Sequence, residues 1–165
     1  SKSGGEDEEA PIARAVARIR QRFPDLRVVV APRHRERADA AAAPFPGAAR
    51  RSRGEHGPDL ILDTYGELAR VYAVADLAFV GGSLVPWGGQ SVFQPLAQGV
   101  PALFGPHMNN QRDIAALALA EGVGFAVEDA DALAEEAIRL LSLDPAEKTA
   151  LASRAQALIA RNRGA

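Results

Sequence analysis

Five short apolar runs recur along the chain, each closed by glycine, proline or a polar residue: Leu26 to Ala31, Asp59 to Asp63, Leu77 to Val80, Pro101 to Phe104 and Gly124 to Val127. Helical periodicity fills the stretches between them. Glu8 to Phe23 puts Ile12, Val16, Ile19 and Phe23 on one face, and a short Ala-rich helix is expected after Pro32-Arg33-His34. Gly66 to Ala73, Ser91 to Gln98, Asn109 to Ala120, Ala130 to Leu141 and Pro145 to Arg163 read as further helices. Pro44 to Pro58 is loop-like, with a short strand expected near Arg50 to Arg53. Strands alternating with helices imply parallel βαβ units. The fold class is therefore α/β: a doubly wound, Rossmann-like parallel sheet of about six strands with helices on both faces. The continuous β-branched run at Leu26 to Ala31 predicts a strand buried on both sides. No repeat or internal linker interrupts the pattern, so residues 1–165 are expected to form one domain.

Composition removes several function classes. Hydrophobic residues at 47% and charged residues at 24% fit a folded chain rather than a disordered one. The net charge of −2 gives no basis for bulk electrostatic binding of nucleic acid. Without cysteine there is no disulfide, thiolate metal site or Cys nucleophile. No apolar run reaches the roughly 18 residues that span a bilayer. The polar, acidic start does not look like a signal peptide and lacks Met, so the chain is expected to be a piece of a longer protein. Between Ile12 and Glu55 eleven Arg stand against four acids. Arg suits phosphate and carboxylate, although Arg14, Arg18 and Arg22 at helical spacing read simply as a solvated face.

In doubly wound sheets ligands bind beyond the carboxyl ends of the strands. That rule selects four segments. After the first strand, Pro32 ends the run and Arg33 projects from the rim, either to clamp a phosphate or to pair with Glu36. In Asp63-Thr64-Tyr65-Gly66-Glu67, either Gly66 admits a ligand to the backbone or Thr64 and Glu67 form a capping box. The loop from Gly81 to Gly89 leads into a helix that Ser91 can cap, a possible anion site, or else a plain connector. It matches neither the GxGxxG nor the GxxxxGK[ST] pattern. His107 follows the fourth strand, as a ligand-binding residue or a structural one. The three His lack metal-ligand spacing, and no nucleophile elbow is present.

Taken together these segments resemble a known family. Ala31-Pro32-Arg33-His34, Asp63-Thr64-Tyr65-Gly66-Glu67-Leu68, Ala75-Asp76, and Phe79-Val80-Gly81-Gly82-Ser83-Leu84-Val85-Pro86 with Gly88-Gly89 are similar to the 3-deoxy-D-manno-octulosonic acid (Kdo) transferases. Phe104-Gly105-Pro106-His107, Arg112-Asp113-Ile114-Ala115 and Arg161-Asn162-Arg163-Gly164-Ala165 match as well. The resemblance implies one half of a glycosyltransferase B fold, the C-terminal nucleotide-sugar domain. The N-terminal acceptor domain would lie outside this chain. The implied substrate is CMP-Kdo, with no further cofactor and no metal, and the implied acceptor is a lipid A precursor. The work would take place at the cytoplasmic side of the bacterial inner membrane, without nucleic acid and with no membrane contact required of this domain.

The family's CMP-contacting positions fall on Pro32, Arg33, Tyr65, Gly66, Glu67 and Ser91-Val92-Phe93-Gln94, with Gly88, Gly89 and His107 beside them. The catalytic base, a Glu of the N-terminal domain, has no counterpart here. Three positions depart from the pattern. Ser91 stands for Asn, Gln94 for Glu, and Tyr65 where Met is common; Ser3-Gly4-Gly5-Glu6 follows the family's Ser-Thr-His-x-Gly-Glu segment loosely. A non-catalytic nucleotide-binding domain, or an enzyme of the same fold using another nucleotide sugar, are the alternatives.

Overall fold

The computed structural model describes residues 8–163. The Ser3 to Glu6 segment and the terminal Gly164-Ala165 lie outside them. The order of elements is α1 (Glu9–Arg22), β1 (Val28–Val30), α2 (Ala38–Ala42), β2 (Ala49–Arg50), β3 (Asp59–Ile61), α3 (Leu68–Val74), β4 (Ala78–Phe79), α4 (Phe93–Ala97), β5 (Ala102–Phe104), α5 (Arg112–Ala120), β6 (Gly124–Ala126), α6 (Ala130–Leu141) and α7 (Pro145–Asn162). Short 3-10 turns cover Arg35–Arg37, Arg51–Arg53 and Asn109–Gln111.

Six strands form, and every pairing is parallel, as alternating βαβ units require. They make two three-stranded sheets, ordered β1-β3-β2 and β4-β5-β6, rather than one continuous sheet. No ladder bond joins them: β1 and β2 pair only with β3, and β4 and β6 only with β5. Edge position also corrects the expectation for the first strand. Val29 is 39% exposed, so β1 is not buried on both faces. The fully buried strand is β5, central in its sheet, with Ala102, Leu103 and Phe104 all inside the core.

The main core gathers around β4, β5 and β6, where Val92, Leu96, Leu103, Val123, Leu158 and Ile159 are essentially inaccessible. Helices α6 and α7 begin at true caps: Asp129 accepts from the Ala132 N–H and Asp144 from the Glu147 N–H, both at 2.8 Å. Pro145 then occupies the first turn of α7, where a missing N–H costs nothing. Helix α1 links the halves. Its Ala15 and Ile19 join the main core, while Arg20 donates to Asp59 Oδ1 at 2.6 Å and to the Leu26 carbonyl at 2.9 Å beside the first sheet. No helix among the described residues is long and apolar enough to cross a membrane.

Candidate functional site

A cleft of about 490 Å³ opens at the carboxyl ends of β1 and β3 and beside the loop after β4. That size suits a small organic ligand. The chain turns out of β1 at Ala31 and Pro32, which brings Arg33 and Arg35 to the rim. Thr64, Tyr65, Gly66 and Leu68 come from the turn after β3; Gly89, Gln90, Ser91 and Gln94 come from the loop and start of α4; Asn110 and Gln111 come from the turn after β5. The strand-end rule thus locates the site across the break between the two sheets.

The glycine loop is built by backbone hydrogen bonds and by one buried acid. Gly89 N–H donates to the Gly82 carbonyl at 3.0 Å and Gln90 N–H to the Gly81 carbonyl at 2.9 Å. Gly88 and Gly89 both have positive φ, 87° and 80°, which non-glycine residues adopt only with strain. A Cβ on Gly88 would also run into the Asn110 side chain, and one on Gly89 would meet Met108 Sδ. Underneath, Ser83 Oγ donates to the Val80 carbonyl and accepts the Gly105 N–H at 2.9 Å. The Glu8 carboxylate, 5% exposed, accepts from the backbone N–H groups of Gly82 and Leu84.

The turn after β3 is fixed from the side. Ser52 donates to Asp63 through its hydroxyl at 2.7 Å and its backbone N–H at 2.8 Å, and Arg50 stands 3.6 Å from the same carboxylate. Burial pushes the Asp63 carboxyl up, but the Ser52 hydrogen bonds and Arg50 outweigh it and hold the group below its usual value. Glu67 takes hydrogen bonds from Arg51 and, at 2.7 Å, from the Thr64 hydroxyl; Arg51 first and Thr64 second hold its carboxyl low.

Of the expected site residues, Pro32, Arg33, Tyr65, Gly66, Gly89, Ser91 and Gln94 come together in the cleft lining. Glu67, Gly88, Val92, Phe93 and His107 stand behind it. Val92 is a core side chain, and Phe93 packs on the core under the Arg163 guanidinium. His107 donates its backbone N–H to the Ser83 carbonyl, and Gly88 accepts the Asn110 N–H, both at 2.9 Å. The Thr64–Glu67 capping box does not form: Thr64 bonds the Glu67 side chain, and α3 starts without a side-chain cap. Helix α4 spans five residues rather than Ser91 to Gln98, with Ser91 Oγ accepting the Gln94 N–H at 3.3 Å. Five residues align too few peptide dipoles for a strong anion-attracting end.

Arg35, Gln90, Asn110 and Gln111 also line the cleft. The strand-end rule pointed to their segments, but nothing in the sequence said which side chains turn inward. Arg33 makes no hydrogen bond or ion pair with the described residues, and no Asp or Glu is among the described lining residues. Two cations without a carboxylate partner among the described residues, beside four side-chain amides, suit an anionic ligand with several hydrogen-bonding groups. No cluster of three or more His, Asp or Glu side chains among the described residues could hold a metal ion.

No protein-family model matches the chain. Similar proteins are nonetheless numerous enough to place it. It is 38% identical over 172 residues to the 3-deoxy-D-manno-octulosonic acid transferase of Bordetella pertussis, covering 97% of this chain and 40% of that protein. The transferase of the same name from Haemophilus influenzae is 33% identical over 174 residues, covering 100% of this chain and 40% of the relative. The chain thus spans about two-fifths of the length of these relatives. Among solved structures, the C-terminal CMP-Kdo binding domain of WaaA from Acinetobacter baumannii superimposes with a TM-score of 0.84 at 28% identity, covering 95% of this chain and 86% of that one. Sequence and fold agree: the chain belongs to the 3-deoxy-D-manno-octulosonic acid transferase family, in which it corresponds to the C-terminal domain.

Proposed function

We propose that the cleft binds CMP-Kdo, and that the chain is the donor half of an enzyme moving Kdo onto a lipid A precursor at the cytoplasmic face of the inner membrane. The observation that carries this is that Arg33 and Arg35 have no carboxylate partner among the described residues and sit among amides and backbone, with no acid among the described lining residues. A nucleotide phosphate supplies the missing negative charge, and its ribose and base use the amides.

In the proposed reaction the bond between the sugar's anomeric carbon and the CMP phosphate oxygen breaks. Its electron pair leaves on the phosphate. The acceptor hydroxyl attacks from the opposite face and gives its proton to a carboxylate outside this chain. Arg33 stabilises the charge that develops on the departing phosphate, and no step is routed through a metal. Gln94 and Ser91 face the nucleotide's sugar, while the loop fixed by Glu8 holds their backbone in place.

The test is CMP-Kdo binding and turnover with the chain alone and with a full-length protein containing it. The chain alone binds the donor and forms no product with lipid acceptor, whereas the full-length protein forms it. Turnover by the chain alone, or failure of the folded chain to bind, overturns the proposal.

A further inference from the structure

Tyr65 is the one aromatic side chain in the cleft lining, and it is 73% exposed. Tyr pairs a flat apolar face with a polar hydroxyl, a combination suited to a surface that a ligand covers. Its partner within the protein is a charge: the Arg35 guanidinium lies 4.8 Å from the ring centroid. Arg35 has no ion pair among the described residues, so its contact with the ring is not the by-product of a salt bridge. Tyr72, by contrast, is drawn into the protein, and burial pushes its hydroxyl pKa up. The cleft therefore offers a flat ring with a cation against one face and the rest open to solvent.

We propose that the Arg35–Tyr65 pair is the stacking platform for the nucleobase, an inference that rests on the nucleotide-site reading above. The base lies on the open face of Tyr65, sandwiching the ring between itself and the guanidinium. Arg35 fixes the ring's orientation before the ligand arrives. Stacking on an aromatic ring is base-tolerant because every base has a π-face. The platform therefore gives affinity for any nucleotide over its base-free fragment. Discrimination between bases falls to the hydrogen-bonding amides of Gln90, Gln94, Asn110 and Gln111.

The test compares CMP with ribose 5-phosphate by titration calorimetry at one salt concentration. Wild type is expected to prefer CMP by tenfold or more. Loss of one base–aromatic stack weakens binding by about five- to a hundredfold. Tyr65→Ala should lower CMP affinity by that factor and leave ribose 5-phosphate unchanged, while Tyr65→Phe keeps the wild-type preference. Arg35→Gln should narrow the preference by about two- to fivefold. A Tyr65→Ala protein with unaltered CMP affinity overturns the platform and leaves the nucleotide site standing. A folded wild type that binds neither ligand overturns the nucleotide site itself, and the platform with it.

Discussion

The Glu8 carboxylate accepts a hydrogen bond from the Gly82 backbone N–H, joining the start of α1 to the loop after β4 across 74 residues of sequence. Its second oxygen takes the Leu84 N–H at 3.2 Å. These two contacts fix a loop whose far side, Gly89 and Gln90, lines the cleft. Glu8→Gln keeps one acceptor oxygen and turns an NH₂ towards the other donor, leaving a buried N–H unsatisfied. The expected loss is about 1–3 kcal/mol.

Burial raises the Glu8 pKa, against the pull of the Gly82 and Leu84 N–H groups. The folded protein thus holds this proton more tightly than the unfolded chain. Its contribution is fullest below the ordinary glutamate value of about 4.3 and is lost as pH rises through the folded value. The melting-temperature gap between wild type and Glu8→Gln should therefore narrow from about pH 4 to about pH 8. A gap that widens over that range contradicts the assignment.

Asp63 behaves in the opposite sense. Its carboxyl is held low in the folded state, so its stabilisation is present above the unfolded value of about 3.9 and disappears as pH falls through the folded one. Asp63→Asn should cost about 1–3 kcal/mol in urea denaturation near neutral pH. The cost should shrink in acid. Equal penalties at both pH values would mean the charge is irrelevant to the Ser52 contacts.

Arg33→Ala removes an exposed cation with no partner among the described residues, so the melting temperature should hardly move. CMP affinity should fall about ten- to a hundredfold, the loss of one charge-assisted hydrogen bond to phosphate. Arg18→Ala is the control, because Arg18 is engaged with Asp131 and Glu135 of α6. Normal CMP binding by Arg33→Ala, or a sharp drop in its melting temperature, would make Arg33 structural.

Gln94 is exposed and lines the cleft, at the position where the resemblance leads one to expect Glu. A carboxylate can accept from two ribose hydroxyls, whereas the amide offers one carbonyl oxygen. Gln94→Glu should tighten CMP binding by about fivefold, and a 2′,3′-dideoxy nucleotide should show no gain. Unchanged CMP affinity would mean that this position does not contact the ribose.

How far the sequence carried the fold depends on the range of the forces involved. Helices α6 and α7 were legible to within about a residue, because apolar periodicity, Asp caps and Pro145 are local signals. The division into two sheets was not, since strand pairing is settled by contacts distant in sequence. The same limit applied to Val29, whose exposure follows from edge position rather than from its side chain. Among the cleft-lining residues, Pro32, Arg33 and Gly89 are legible from their place after strands. Glu8 escaped notice as a loop anchor because its partners lie 74 and 76 positions away. Arg35 escaped because its aim at Tyr65 depends on the 3-10 turn that carries it.

The central claim is that the cleft is a CMP site, and the most direct measurement is calorimetric titration of the wild-type chain with CMP and, separately, with UMP. The account predicts saturable, one-to-one binding of CMP, tighter than UMP. Tighter binding of UMP, or no heat from CMP with a chain shown to be folded by its cooperative melt, would contradict it.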